Sequence, residues 1–261
     1  MHDPMILILA FIFGITFGSF LNVLIYRLPR EISIISPGSH CPQCKKPVKP
    51  YDNIPILSYL ILRGKCRHCG ARISPRYMLV ELLAGLLVVF SIYYFGLNVK
   101  GFAAAYLSLI FIAVFFIDLE FTIIPDIFTF PGIVIGLAVS FLPGAFVGWK
   151  ESLIGIAVGG GVFLLVGKLG ELVFKKEAMG LGDVKFAAML GAFLGWKSLL
   201  LIFILASFLG SVIGLAIIAF SARDKRRSTY VPFGPFLVVA GIITIYLGNT
   251  IINAYLNFIR A

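Results

Sequence analysis

Residues 5–26 read MILILAFIFGITFGSFLNVLIY, without a single charge. About 20 such residues, rising 1.5 Å each as a helix, cross the hydrocarbon core of a bilayer. The run lacks a basic leader and an A-x-A-like site, and it is longer than a signal-peptide core, so it reads as a retained span. Six more uncharged runs follow, at 82–99, 101–117, 127–149, 152–167, 198–222 and 232–259. A shorter one, 186–196, completes a helix that starts near Asp183. That predicts about eight crossings, with a candidate hinge at 230–235, where Pro232 and Pro235 interrupt the helix pattern.

Composition points the same way. Hydrophobic residues make up 60% of the 261 and charged residues only 13%, against roughly a quarter charged in a soluble domain. Mean hydropathy is +1.02. There is too little polar surface to cover a globule in water. A disordered chain, a small disulfide scaffold and a basic nucleic-acid domain are excluded, and no nucleic-acid partner is expected. The fold class is an all-α polytopic membrane protein, with membrane lipid as its surroundings.

The net charge of +10 is sorted by position. With eight crossings, seventeen of the 22 Lys and Arg fall on one side: ten in Arg27–Arg76, then Lys175, Lys176 and Lys185, then Arg223, Lys225, Arg226 and Arg227. Lys100, Lys150, Lys197 and Arg260 fall on the other. The positive-inside rule makes the first side cytoplasmic and puts both termini outside. Glycine pairs four residues apart (Gly14/Gly18, Gly132/Gly136, Gly155/Gly159, Gly191/Gly195, Gly210/Gly214) suit close helix packing within one bundle or between two copies. Oligomeric state is not legible.

All four cysteines lie in the first polar segment, as Cys41-Pro42-Gln43-Cys44 and Cys66-Arg67-His68-Cys69. Two C-x-x-C knuckles 21 residues apart resemble a four-cysteine zinc ribbon. The two-residue gap lets one turn present two sulfurs to one ion. Four protein ligands leave no open position, which predicts a structural Zn2+ rather than a catalytic one. His40 and His68 are nearby alternatives. The segment is poor in apolar residues, and metal would supply folding energy. Tyr51, Ile54, Ile56, Leu57, Tyr59 and Leu60 form either a small core or a membrane-surface patch. The Asp52–Pro55 stretch reads as a turn.

Twelve acidic residues are few enough to sort by depth. Glu81, Asp118, Glu120, Asp126, Glu171 and Asp183 lie at or inside span ends, where an ionisable group is costly and a function is the default expectation. Asp118 ends the third span and Asp183 opens the sixth, after Gly180-Leu181-Gly182. The topology puts both at the cytoplasmic edge, where they can meet across 65 residues of sequence. Asp183 and Asp126 also read as helix N-caps, and Asp118 and Glu120 as partners of basic loop residues. If the two aspartates meet, they share a proton. One then activates water for attack on a peptide carbonyl, and the other polarises that carbonyl and protonates the leaving amine. The three histidines, His2, His40 and His68, lie outside the spans, which argues against a serine–histidine site.

At this point the residues resemble a known family. Gly18-Ser19-Phe20-Leu21-Asn22-Val23-Leu24-Ile25-Tyr26-Arg27-Leu28-Pro29 is similar to the opening signature of bacterial type IV prepilin leader peptidases. The paired knuckles, the Asp52–Pro55 turn, Arg76-Tyr77 with Glu81, the segment ending Ile124-Pro125-Asp126 and the Gly180-x-Gly182-Asp183 motif follow in the family's order. Met78 stands where the family often has proline. The resemblance implies a GxGD aspartic peptidase of the bacterial cytoplasmic (inner) membrane, with Asp118 and Asp183 as the catalytic pair. The implied substrates are type IV prepilins or pseudopilins. It also implies N-methylation of the new terminal residue from S-adenosylmethionine, an activity associated with the cysteine loop. The expected organisation is a first helix over 1–26, a cytoplasmic cysteine loop over 27–76 with Zn2+ on Cys41, Cys44, Cys66 and Cys69, and a helical bundle carrying the peptidase site over 77–261. Lys185 either supports the pair or meets an acidic substrate residue, or is a snorkelling lysine. Glu81 either faces a basic leader or pairs with Arg72 or Arg76. The other readings are a peptidase without methylation, a zinc-loop scaffold and a transporter. Against the transporter stands the lack of an internal repeat.

Overall fold

The computed structural model describes residues 3–175, 180–220 and 232–260. These form eight α-helices: α1 (Pro4–Arg27), α2 (Leu57–Ile61), α3 (Arg76–Phe95), α4 (Val99–Phe121), α5 (Asp126–Val139), α6 (Trp149–Phe174), α7 (Leu181–Phe220) and α8 (Gly234–Arg260). Among the described residues there are no strands, only two isolated β-bridges. Six helices (α1, α3, α4, α6, α7 and α8) are long and apolar enough to cross a membrane. The chain divides into two compact units, Met1–Ala113 and Val114–Ala261, and α4 begins in the first and ends in the second.

Each helix starts and stops where local chemistry dictates. Asp3 caps α1 by accepting the Met5 N–H at 2.9 Å, with Pro4 at the first helical position. Gly96, at φ 84°, ends α3. Asn98 Oδ1 accepts the Gly101 N–H at 3.1 Å and opens α4. Thr122, at φ 57°, turns the chain out of α4 while its N–H still bonds Asp118 O.

In the first unit α1 and α3 lie backbone to backbone. A Cβ on Gly14 would come within 2.7 Å of Ala84 O, and one on Gly18 within 2.7 Å of Glu81 Cα. Asn22, buried in α1, donates to Tyr77 O in α3 at 2.9 Å. Buried Arg27 donates to Ser33 O and Pro37 O, both at 2.7 Å, and shapes the entry to the cysteine loop.

In the second unit α7 is broken. Gly195 has φ 75° and ψ 171°, outside the helical region. Before it, Gly191 meets Gly155 of α6 backbone to backbone and Ala187 meets Gly159. After it, Phe203 packs edge-on to Phe163 of the same helix, ring centroids 5.2 Å apart. A straight α7 would carry residue 203 tens of ångström past Phe163 at 1.5 Å per residue. The chain therefore doubles back at Gly195, and α8 then packs along the returning arm, Phe236 by Gly210 and Gly248 by Leu201.

With α5 and the two arms of α7, the eight apolar runs appear as helix, and several limits differ from the sequence reading. The run expected over 127–149 is helical only to Val139, because Pro143 and Gly144 (φ 80°) turn the chain while its composition stays apolar. α3 starts six residues early and so contains Glu81. α6 continues past Lys168 and Glu171. Gly14, Gly18, Gly132, Gly136, Gly155, Gly159, Gly191 and Gly210 all pack within the chain, so their spacing serves the bundle. Of the basic groups used for topology, Lys176, Arg223, Lys225, Arg226 and Arg227 lie outside the described residues, as do the first two residues of the hinge candidate.

Candidate functional site

The end of α4 and the starts of α5, α7 and α8 converge in the second unit. Gly182 makes this convergence close. A Cβ there would stand 3.1 Å from Ile124 Cβ and 3.3 Å from Ile124 N, so the first turn of α7 lies directly on the link between α4 and α5. Asp118 and Asp183 are only 5% and 9% exposed, and they are close enough for the charge of one to act on the other. The N-cap reading of Asp183 does not hold, since it lies inside α7.

The two carboxylates are held differently. Asp118 Oδ2 accepts the Gly234 N–H at 2.9 Å, a buried hydrogen bond. Asp183 Oδ1 is enclosed and has no hydrogen-bond partner among the described residues. A buried polar oxygen is seldom left unpaired without a functional reason. The other acids at this end are unlike them. Asp126 is half-exposed, and both its oxygens accept from Lys185 Nζ at 2.8 Å. Glu120 is exposed. Lys185 is thus the partner of Asp126, a pairing the sequence reading had not weighed. Gly234 was missed altogether. A backbone N–H is carried by every residue except proline, and the one available signal was Pro232-Phe233-Gly234-Pro235, read only as a hinge.

In the first unit the two knuckles repeat one another at an offset of 25 residues. Cys41 N–H bonds Lys46 O and Cys66 N–H bonds Ala71 O, and Lys45 and Gly70, next to the second cysteine of each knuckle, both have positive φ. The bridges His40–Pro47 and Lys65–Arg72 close them. All four sulfurs lie within 4.8 Å of one another, and Cys41 and Cys69 are 3.8 Å apart. A tetrahedron with metal–sulfur arms of about 2.3 Å has edges of about 3.8 Å, so this cluster can hold a metal ion. The Cys44 backbone N–H, with help from Gln43, brings the Cys41 thiol down to about 6. Cys69 is pulled down by the Ala71 N–H, but burial and the other three sulfurs outweigh it and carry it to about 11. Four sulfurs this close cannot all ionise without a cation among them.

The Asp52 turn does more than reverse the chain. Arg67, between the cysteines of the second knuckle, donates through Nε to both Asp52 oxygens, at 2.8 and 3.0 Å, and holds that carboxyl below its usual range. Further along the turn, Ile56 has φ 61° and ψ −53°, and Leu57 N bonds Pro55 O at 2.6 Å. This is the rare, strained form of γ-turn, at a β-branched residue. Buried Glu81 holds it by accepting the Ile56 N–H at 2.7 Å, with the Ser19 hydroxyl within reach of the same carboxylate. Glu81 therefore anchors a turn.

The fold and sites define a helical multi-pass membrane protein with four clustered sulfurs able to hold a metal ion in one unit and a buried aspartate pair in the other. Comparison with known proteins names the group. The family model described as Bacterial Peptidase A24 N-terminal domain matches residues 12–95, and that described as Type IV leader peptidase family matches 105–215. Relatives named prepilin leader peptidase/N-methyltransferase are 41% identical in Myxococcus xanthus (86% of this chain, 67% of the relative), 38% in Aeromonas hydrophila (96% and 94%) and 34% in Pseudomonas aeruginosa (98% and 96%). No solved structure matches the chain. The chain belongs to the type IV leader peptidase family.

Proposed function

We propose that this protein removes the leader from type IV prepilins or pseudopilins and methylates the new N-terminus, with S-adenosylmethionine as methyl donor. The observation that carries the peptidase half is the pair of buried aspartates with unequal surroundings. Asp118, fixed by the Gly234 N–H, is suited to accept a proton from water. Asp183, whose Oδ1 is unpaired, is suited to carry the shared proton toward the substrate carbonyl oxygen. The water oxygen bonds the carbonyl carbon, and the carbonyl oxygen takes the Asp183 proton. Collapse of that intermediate breaks the C–N bond, the proton taken by Asp118 passes to the leaving amine, and a hydroxyl of the diol returns its proton to Asp183. No covalent enzyme intermediate is needed.

The sorting of basic residues supports a bacterial inner-membrane location with this end facing the cytoplasm. A basic leader followed by an apolar helix would present its scissile bond at that depth. Cys41, Cys44, Cys66 and Cys69 fit Zn2+, which would hold the two knuckles together as a structural ion. Methylation is assigned to the part of the chain containing 27–76, in keeping with the relatives' names, and cleavage to the bundle over 77–261.

The test uses the purified full chain in lipid, a prepilin with its leader, and S-adenosylmethionine. Mass spectrometry reads leader loss and the gain of one methyl group. Loss of both in Asp118→Asn or Asp183→Asn, with methylation of an already cleaved pilin retained, is the expected result. Cleavage without any methyl gain in the wild type would reduce the function to a peptidase, and uptake of solute without cleavage would point to a transporter.

A further inference from the structure

The short helix α2 is amphipathic in the wrong sense for a helix in water. Leu57, Leu60 and Ile61, at i, i+3 and i+4, share one face, and they are 51%, 58% and 65% exposed. Ser58 is the residue buried, with its hydroxyl donating to Tyr51 O and accepting the Ile54 N–H. A helix resting on a soluble core turns its leucines inward and its serine outward.

The depth of this helix is fixed by Glu81. The Ile56 N–H, at the entry to α2, bonds the Glu81 carboxylate at 2.7 Å. Glu81 lies five residues into α3, roughly 7 Å along its axis. The entry to α2 therefore runs beside the first turns of a helix long and apolar enough to span a membrane, rather than above its end. A bilayer spanned by α3 would bring these exposed apolar side chains to the boundary between headgroups and acyl chains.

Just beyond α2 is a cleft of about 520 Å³ whose walls include Tyr59, Arg63, Lys65, Arg72 and Ser74. The three basic side chains are exposed. Lys65 and Arg72 face each other across an antiparallel bridge, where like charges cost stability unless an anion lies between them. Arg63 and Gly64 both have left-handed φ, 52° and 65°. The far wall ends at Pro75, immediately before α3.

We propose that residues 54–75 are a membrane-interface anchor: Leu57, Leu60 and Ile61 enter the acyl-chain boundary, and Arg63, Lys65 and Arg72 hold the phosphate of an anionic phospholipid. An apolar face flanked by basic residues is the recognised chemistry of such anchors. Free phosphate would offer the same oxygens, but the apolar face beside the cleft selects the lipid. Arg67, between the cysteines of the second knuckle, donates to Asp52 and ties that knuckle to the turn that leads into α2. The proposal rests on the membrane setting alone and is independent of the reaction.

Two measurements test it on the full chain. First, p-benzoylphenylalanine at Leu60 is photoactivated in vesicles of phosphatidylglycerol and phosphatidylcholine, and in native membranes. Adducts with lipid are expected in both, and adducts with a second copy or with another protein would overturn the anchor. Second, native mass spectrometry of detergent-purified protein reads retention of phosphatidylglycerol, phosphatidylcholine and inorganic phosphate. The wild type is expected to keep phosphatidylglycerol, and the triple variant Arg63→Gln/Lys65→Gln/Arg72→Gln to keep on the order of a hundredfold less. Equal retention of phosphatidylcholine, or displacement of phosphatidylglycerol by millimolar phosphate, would overturn the headgroup assignment. Single variants Arg63→Gln and Arg72→Gln, each expected to lose several-fold, decide the matter if the triple variant fails to fold.

Discussion

Gly234→Ala is the substitution for which the structure gives the sharpest expectation. The N–H that holds Asp118 belongs to a residue whose Cα faces the same carboxylate. A Cβ there would stand 2.5 Å from Asp118 Oδ2 and 2.9 Å from Asp118 Cγ. Ordinary contact begins near 3.4 Å, so the carboxylate or the start of α8 must give way by about 1 Å. Asp118 has little room to move, being buried and on the last turn of α4. A displacement of about 1 Å in a reacting group costs roughly a hundredfold in rate, or about 2.7 kcal/mol of barrier. The assay is steady-state leader cleavage by purified protein in lipid. kcat should fall about a hundredfold with KM within about twofold. Methylation of a pre-cleaved pilin should be unchanged, which separates a displaced aspartate from a damaged fold. Gly214→Ala is the control, since nothing lies within 4 Å of a Cβ there. Cleavage by Gly234→Ala within twofold of wild type would refute the reasoning.

Other expectations follow from the cysteine loop. Metal analysis of purified protein should find one zinc per chain, and Cys41→Ser or Cys69→Ser should lose it; four freely titratable thiols in the wild type would contradict the cluster. Glu81→Ala leaves the buried side of the Ile56 turn without its acceptor and should lower stability by about 1–3 kcal/mol. Glu81→Gln keeps an acceptor oxygen and should recover most of the loss in a thermal melt, whereas equal damage by both would assign the role to charge. Because Arg67 holds the Asp52 carboxyl low, that pair stabilises the loop above the unfolded value, near pH 4, and the contribution is lost as pH falls through the lower folded value. At pH 7 the pair is intact, so Asp52→Asn should speed hydrogen exchange across 66–72 there, and unchanged exchange would remove Asp52 as a tether.

Much of this was legible because membranes impose coarse rules. Uncharged runs gave the helices, and the C-x-x-C spacing gave the sulfur cluster down to its four cysteines. The limits that failed have a physical cause. Apolar composition does not separate helix from apolar loop, so the run ending at Trp149 hid the end of α5 at Val139. A charge inside a span marked a false boundary at Glu81, which the structure tolerates because Ile56 satisfies it. Asp118 and Asp183 stood out as candidates because each reads as a rare acid at a span edge, and the structure buries both. Gly234 and the γ-turn at Ile56 were not, because both act through backbone groups that the side-chain alphabet does not record. The pairing of Lys185 with Asp126 was not legible for another reason: the two are 59 residues apart in sequence, and Asp126 also reads as a cap.

The central claim is that Asp118 and Asp183 together cut the leader, and the most direct measurement is cleavage of a prepilin by wild type, Asp118→Asn and Asp183→Asn, side by side in lipid. Complete leader loss is expected with the wild type and none with either variant, all three remaining monodisperse and metal-loaded. Full cleavage by either variant would remove that residue from the pair, and no cleavage of any prepilin by well-folded wild type would contradict the peptidase itself.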